Sequence, residues 1–223
     1  MTILENNMTK FSLIVTAGGT SSRYGNENKL LELIDNKTVI EHTIANFLEF
    51  EEITEIIIPT NSSIRGELEC LLLDSRIKFV EGGSSRQKSV YNALQYVNNE
   101  YVIIHDGARP LVTNEVISQV LDSVVEHKAV SVMTKTTDTI KEVDDSGRII
   151  KTIDRSKLYN TQTPQAFESL LIKNAHEKFK NKEFTDDSSM LEELEISVYI
   201  VLGSYTNIKI TTKSDLDFAK LYI

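Results

Sequence analysis

The apolar run "FSLIV" ends at Val15 and opens into "TAGGTSSRYGNENK". Gly18 and Gly19 let backbone N–H groups approach an anion with no Cβ in the way. Arg23 adds a planar fork and Lys29 a mobile point charge, two complementary ways to meet phosphate oxygens. Three other segments follow apolar runs with similar means. "EGGSSRQKS" leads into a helix with Ser84 or Ser85 as its cap. "HDGARP" puts Asp106 at the end of a strand, where a carboxylate can face a metal or a ligand hydroxyl. "NIKIT" reads as a short strand near the C-terminus. The glycines are not spaced as G-x-G-x-x-G, and no Gly-Lys-Ser/Thr completes a Walker A loop. The four histidines lack metal-ligand spacing, so zinc is not expected, and His105 reads as structural.

An anion site sits here on an acidic chain, 223 residues long with a net charge of −9. That balance argues against a general grip on nucleic acid, which needs clustered Lys and Arg. A small anionic ligand in a locally positive pocket remains open. The length fits one α/β domain, with or without an arm. The single cysteine, Cys70, permits no intrachain disulfide and is expected to be a small buried group on a helix. No run approaches the ~20 apolar residues of a membrane helix, and "MTILENNMTK" lacks the basic start and apolar stretch of a signal peptide. The expected compartment is therefore the cytoplasm, with no membrane partner.

The segments that must position these loops alternate in character. Near-continuous apolar runs predict strands at Ser12–Val15, Glu55–Pro59, Ile77–Val80, Tyr101–His105 and Ala129–Met133. Helical periodicity fills the intervals: "TVIEHTIANFLEF", Ile64–Leu73, Lys88–Val97 and Asn114–Glu126. Such alternation predicts an α/β fold with a mostly parallel sheet and helices on both faces. In sheets of this kind, ligands bind beyond the carboxyl ends of the strands. The rhythm breaks at "DTIKEVDDSGRIIKTID", a hairpin pattern turning at Asp144–Gly147 and read as a projecting β-arm. Beyond it, "QAFESLLIKNAHEKF" and "DDSSMLEEL" read as helices and "SVYIVLG" as a strand. "KSDLDFAKLYI" reads as a closing helix capped by Ser214.

Taken in order, "AGGTSSRYG…K", "GGSSRQKSV", "HDGARPLV", "DTIKEV", "TIDRSKLYNTQTPQAF", "TDDSSMLE" and "NIKIT" resemble one family. It is that of the cytidylyltransferases acting on 2-C-methyl-D-erythritol 4-phosphate, in non-mevalonate isoprenoid precursor biosynthesis. The resemblance runs from about residue 11 to the C-terminus. It implies a single Rossmann-like nucleotidyltransferase domain over 1–223, with a β-arm at about 137–155 that makes a homodimer. By position it also implies that Ala17, Gly18, Gly19, Arg23 and Lys29 hold the CTP triphosphate. Gly83 and Ser89 match the cytosine and ribose side. Asp106 and Arg109 match residues near a divalent metal, Mg2+ being expected, and near the sugar-phosphate substrate. Thr139, Arg155 and Thr163 match the substrate-phosphate region, and Lys209 a second cation at the reacting phosphorus. Arg23, Lys29 and Lys209 are then the catalytic set and Asp106 the metal ligand. Ser21 stands where the family usually has Gly, Leu30 where it often has Gln, and Gly107 where it usually has Ala.

Nucleotidyl transfer of this kind needs no protein nucleophile, since an ionised substrate phosphate attacks the α-phosphorus and pyrophosphate leaves. It needs cancellation of charge between two polyanions. The nearest rival is a ribitol 5-phosphate cytidylyltransferase. A regulatory nucleotide binder without catalysis is the rival of another class, set against the presence of both lysines.

Overall fold

A computed structural model describes residues 8–18 and 28–223. Its centre is a seven-stranded sheet in the order β11-β7-β10-β6-β1-β4-β5. The strands are β1 (Phe11–Thr16), β4 (Ile53–Thr60), β5 (Ile77–Glu81), β6 (Tyr101–Asp106), β7 (Ala129–Lys135), β10 (Tyr159–Glu168) and β11 (Tyr199–Leu202). β1 runs parallel to both β4 and β6, with Thr16 paired to Asp106 at its end. β10 alone runs antiparallel, between β6 and β7. Two small antiparallel pairs stand apart: β2 (Leu33–Ile34) with β3 (Lys37–Thr38), and β8 (Lys141–Val143) with β9 (Ile149–Thr152). The second pair is the arm. Its apolar residues Val143, Ile149 and Ile150 are exposed.

Among the described residues seven α-helices accompany the sheet: α1 (Val39–Leu48), α2 (Ser62–Leu71), α3 (Arg86–Leu94), α4 (Asn114–His127), α5 (Ser169–Lys178), α6 (Ser188–Glu192) and α7 (Lys213–Ala219). Alternate residues of the buried strands feed two cores. Leu13, Val15, Ile56, Ile58 and Ile103 meet Ile40, Ile44 and Phe47 of α1 and Val120 of α4 on one face. Ile14, Ile57, Val102 and Ile104 meet Val90 of α3, Ile172 of α5 and Met190 of α6 on the other. The starts of the helices are fixed by local chemistry. Thr38 and Glu41 form a capping box at α1, and the Ser85 hydroxyl accepts from the Lys88 N–H at α3.

Four sequence expectations are corrected. Residues 165–168, read as the start of a helix, belong to β10, and only from Ser169 is the chain helical. "NIKIT" joins no strand ladder among the described residues, although its alternation is real: Ile210 is buried and Ile208 packs against the core. α7 is capped by Thr212, which forms a capping box with Asp215, and not by Ser214. Cys70 is exposed, because α2 buries only Ile64 and Leu68. Among the described residues no helix is long and apolar enough to cross a membrane.

His105 is structural, as expected. Its ring is buried on β6, packs 4.9 Å from the Phe47 ring and donates through Nε2 to the Arg109 carbonyl at 3.1 Å. Burial pushes its pKa down to about 4. The unfolded chain takes up that proton near the ordinary value of about 6.5, whereas the folded chain does not. Stability should therefore fall as pH drops from about 6.5 toward 4, by up to about 3 kcal/mol. Denaturant titrations across that window should show the slope, and His105→Gln, which keeps the donor, should flatten it.

Candidate active site

The strand order reverses between β1 and β6, the point where doubly wound sheets leave a crevice. The loops after β1, β5 and β6 meet there and line a cleft of about 260 Å3 that includes Gly18, Lys29, Gly83, Ser89, Asp106 and Lys209. A neighbouring cleft of about 230 Å3 is lined by Arg109, Thr161, Gln162, Thr163, Thr185 and Asp186. Arg86, Asp106 and Lys209 belong to both clefts. One carboxylate and two cations thus stand where the two adjoining clefts meet.

Asp106 is the hub. Its Oδ1 accepts from Arg86 Nε at 3.0 Å and lies 3.4 Å from the Thr16 hydroxyl. Its Oδ2 faces Lys209 Nζ at 2.8 Å and Arg109 Nε at 3.6 Å. Burial opposes its charge, but Arg86, Lys209 and Arg109 outweigh burial and hold its carboxyl well below the usual carboxylate range. Burial lowers the pKa of Arg109 from its ordinary value despite Asp106 beside it. Thr163 Oγ1 accepts from the Asp106 backbone N–H at 3.0 Å and fixes the strand end.

The first cleft has the close backbone approach that its glycines suggested. A Cβ at Gly83 would lie 2.5 Å from Cβ and Cγ of Lys88, so only glycine fits that bend. The Gly83 N–H donates to Ser89 Oγ at 2.9 Å, and that hydroxyl donates to the Ser85 carbonyl, tying the loop to the first turn of α3. Gly107 is equally tight: a Cβ would sit 2.8 Å from Ile40 Cδ1 and 2.9 Å from the Thr16 carbonyl oxygen. An alanine there would need β1 or α1 to shift. Lys29 Nζ donates to the Ile210 carbonyl at 2.8 Å and so lies against the segment that carries Lys209.

That segment is held by side chains. Asn207 Nδ2 donates to the Thr163 carbonyl at 2.9 Å and to Gln162 Oε1 at 3.2 Å, while Arg109 Nη1 donates to the Asn207 carbonyl at 2.7 Å. The Ile210 N–H donates to the Ala108 carbonyl at 2.8 Å.

The structure therefore brings together Gly18, Lys29, Gly83, Ser89, Asp106, Arg109, Thr163 and Lys209 around one junction. Ala17 is buried at the end of β1, its N–H donating to the Pro59 carbonyl at 3.3 Å. Thr139 and Arg155 lie exposed on the arm and line neither cleft of their own chain; Arg155 donates to the Thr137 carbonyl. Gly19, Ser21 and Arg23 fall outside the described residues. The sequence reading missed Arg86. It was hidden in "RQKS" as an ordinary helix-entry residue, because both its partners, Asp106 and Asp187, lie far along the chain.

A glycine-lined cleft with a lysine beside it suits a triphosphate, and an adjoining cleft with Arg109 suits a second phosphorylated molecule. The cations at the shared wall suit a reaction in which two anions must touch. Comparison with known proteins agrees. Residues 11–223 match the family model described as IspD, 2-C-methyl-D-erythritol 4-phosphate cytidylyltransferase. The enzyme of that name from Bacillus cereus (strain ATCC 14579) is 40% identical over 221 residues, covering 96% of this chain and 97% of that relative. The one from Caldanaerobacter subterraneus subsp. tengcongensis is 40% identical over 222 residues, covering 95% and 98%. The crystal structure of 4-diphosphocytidyl-2C-methyl-D-erythritol synthase from Anaerococcus prevotii is similar at a TM-score of 0.86 and 33% identity, with 96% of each chain covered. The chain belongs to the 2-C-methyl-D-erythritol 4-phosphate cytidylyltransferase family.

Proposed function

We propose that the first cleft holds CTP and the second 2-C-methyl-D-erythritol 4-phosphate, and that the chain transfers CMP from the one to the other with release of pyrophosphate. The observation that carries this placement is the junction itself, where Arg86, Asp106 and Lys209 line both clefts. The acceptor phosphate attacks the α-phosphorus. Lys29 lies on the nucleotide side, Lys209 at the junction and Arg109 on the acceptor side. Together they offset repulsion between the anions and the charge that grows in the transition state. Among the described residues no three His, Cys, Asp or Glu side chains form a metal site. One carboxylate nevertheless fits Mg2+, which binds through one or two carboxylates plus phosphate and water. Asp106 is the residue that would hold it. The ion, when bound, supplies further charge cancellation on the triphosphate.

The direct test incubates the protein with CTP, Mg2+ and each candidate acceptor while pyrophosphate is followed. Turnover is expected with the erythritol phosphate and not with ribitol 5-phosphate; the reverse would reassign the acceptor. CTP should be preferred over UTP, because a site arranged around the cytosine amino group leaves a polar group unpaired when that donor is missing. Equal kcat/KM for the two nucleotides would remove base selection from the loop around Gly83.

A homodimer joined by the arms belongs to the same reading. The arm's exposed Val143, Ile149 and Ile150 support it, as does the marginal stability of an isolated two-stranded pair. Thr139 and Arg155 would then reach the partner's acceptor cleft. If so, mixing Arg155→Ala chains with Lys29→Ala chains should restore about a quarter of wild-type activity, since each heterodimer has one intact site. A monomer by sedimentation, or no recovery after verified subunit exchange, would rule out the shared site.

A further inference from the structure

We propose that Arg86 is a positioning residue, held from behind by the buried carboxylate of Asp187, that fixes the direction of the Asp106 carboxylate where the two clefts meet. The proposal rests on the reading of those clefts as substrate sites. Asp187, at the start of α6, is 0% exposed, and its oxygens are divided between two partners. Oδ2 accepts from Arg86 Nη1 at 2.7 Å, and Oδ1 faces His176 Nε2 of α5 at 3.0 Å. The Asp187 backbone N–H donates to Gln165 Oε1 on β10 at 3.1 Å. Asp187 is thus held through its backbone by β10 and through its Oδ1 by α5, which leaves Oδ2 aimed at Arg86.

Arg86, in contrast, is 27% exposed at its side chain and reaches forward to Asp106 Oδ1. Its planar fork spans two carboxylates at once, which a lysine's single nitrogen is poorly shaped to do. With Oδ1 of Asp106 taken by Arg86, Oδ2 is the oxygen turned to Lys209 and Arg109. The chain of side-chain contacts His176–Asp187–Arg86–Asp106 therefore runs from the helix layer to the junction. Stability alone explains it poorly. Buried ion pairs are often no better for stability than apolar packing of the same volume, and this one ends at the wall shared by both clefts.

Three variants test the assignment, with kcat and KM measured for both substrates. Asp187→Asn keeps the shape but removes the anchoring charge. It should lower kcat at least about tenfold while the KM for CTP stays within about threefold. Arg86→Ala should lower kcat at least as much, and Arg86→Lys should not restore it. The double variant Arg86→Ala/Asp187→Asn should be no worse than Arg86→Ala alone, because Asp187 acts through Arg86. Ethylguanidinium, below concentrations that unfold the protein, should raise the kcat of Arg86→Ala severalfold and leave the double variant unmoved. That rescue stands even if Asp187→Asn alone proves too unstable to assay. Wild-type kcat per folded molecule in Arg86→Ala, additive losses in the double variant, or no rescue of Arg86→Ala by ethylguanidinium would each overturn the proposal. A wild-type enzyme that releases no pyrophosphate would instead overturn the functional reading beneath it.

Discussion

Lys29→Ala is expected to reduce kcat by a hundredfold or more, with little change in thermal midpoint. The lysine lines the cleft proposed for CTP, and its Nζ is placed against the Ile210 carbonyl at 2.8 Å. An ammonium already held in place costs no reorganisation when charge develops on the triphosphate, and losing one such contact is worth ~3 kcal/mol. The side chain contributes nothing to either apolar core, so the fold should persist. Steady-state kinetics alongside a thermal melt would separate the two effects. Turnover near wild type would take Lys29 out of the mechanism, and a large loss of stability would make the kinetic result a folding effect.

A larger loss is expected for Lys209→Ala, about a thousandfold in kcat/KM for the sugar phosphate. Lys209 belongs to both clefts and stands 2.8 Å from Asp106 Oδ2. Its removal takes a cation from the approach of the two anions. It also leaves Asp106 with Arg109 at 3.6 Å as the remaining cation on that oxygen, so a bound phosphate would face a less compensated carboxylate. The KM for CTP should move much less, since Lys29 and the glycine loop remain. A defect confined to the KM for CTP would shift Lys209 to the nucleotide side. Lys209→Arg should recover part of the loss if charge at the junction is what matters, and none if the compact ammonium is required.

Much of the frame was legible because both-face burial leaves a strong pattern: "SLIV", "EIIIP" and "YVIIH" read as strands buried on both faces, and β1, β4 and β6 are such strands. The loops after β1 and β6 were legible because each follows such a strand, whereas the Gly83 loop, after the half-exposed edge strand β5, was legible from its glycines. β10 was not. Pro164 lies inside it, its first residues are polar, and "QAFE" passes into α5 with no glycine or proline between. Local composition therefore favoured helix, and the antiparallel slot between β6 and β7 overrode it. "NIKIT" failed in the opposite sense. Its alternation correctly put Ile208 and Ile210 inward, but pattern alone cannot show that the segment's polar groups pair with Gln162, Thr163 and Ala108 instead of a neighbouring strand. Arg86 and Asp187 were invisible as a pair for the same reason: nothing local marks two residues that meet only once α3 and α6 pack on the same face.

The way the arm is attached has a consequence for engineering. β7 and β10 are antiparallel neighbours, and Lys135 is paired with Tyr159 where the chain leaves the sheet and where it returns. The Thr136 N–H donates to the Leu158 carbonyl at 3.0 Å just beyond that point. Everything from 137 to 157 is thus the distal part of one long hairpin, entered and left across a single strand-to-strand gap. The arm is a cassette. It can be shortened to a tight turn without breaking a hydrogen bond of the central ladder, so the sheet should fold whatever hairpin is attached there, while Thr139 and Arg155 leave with the arm.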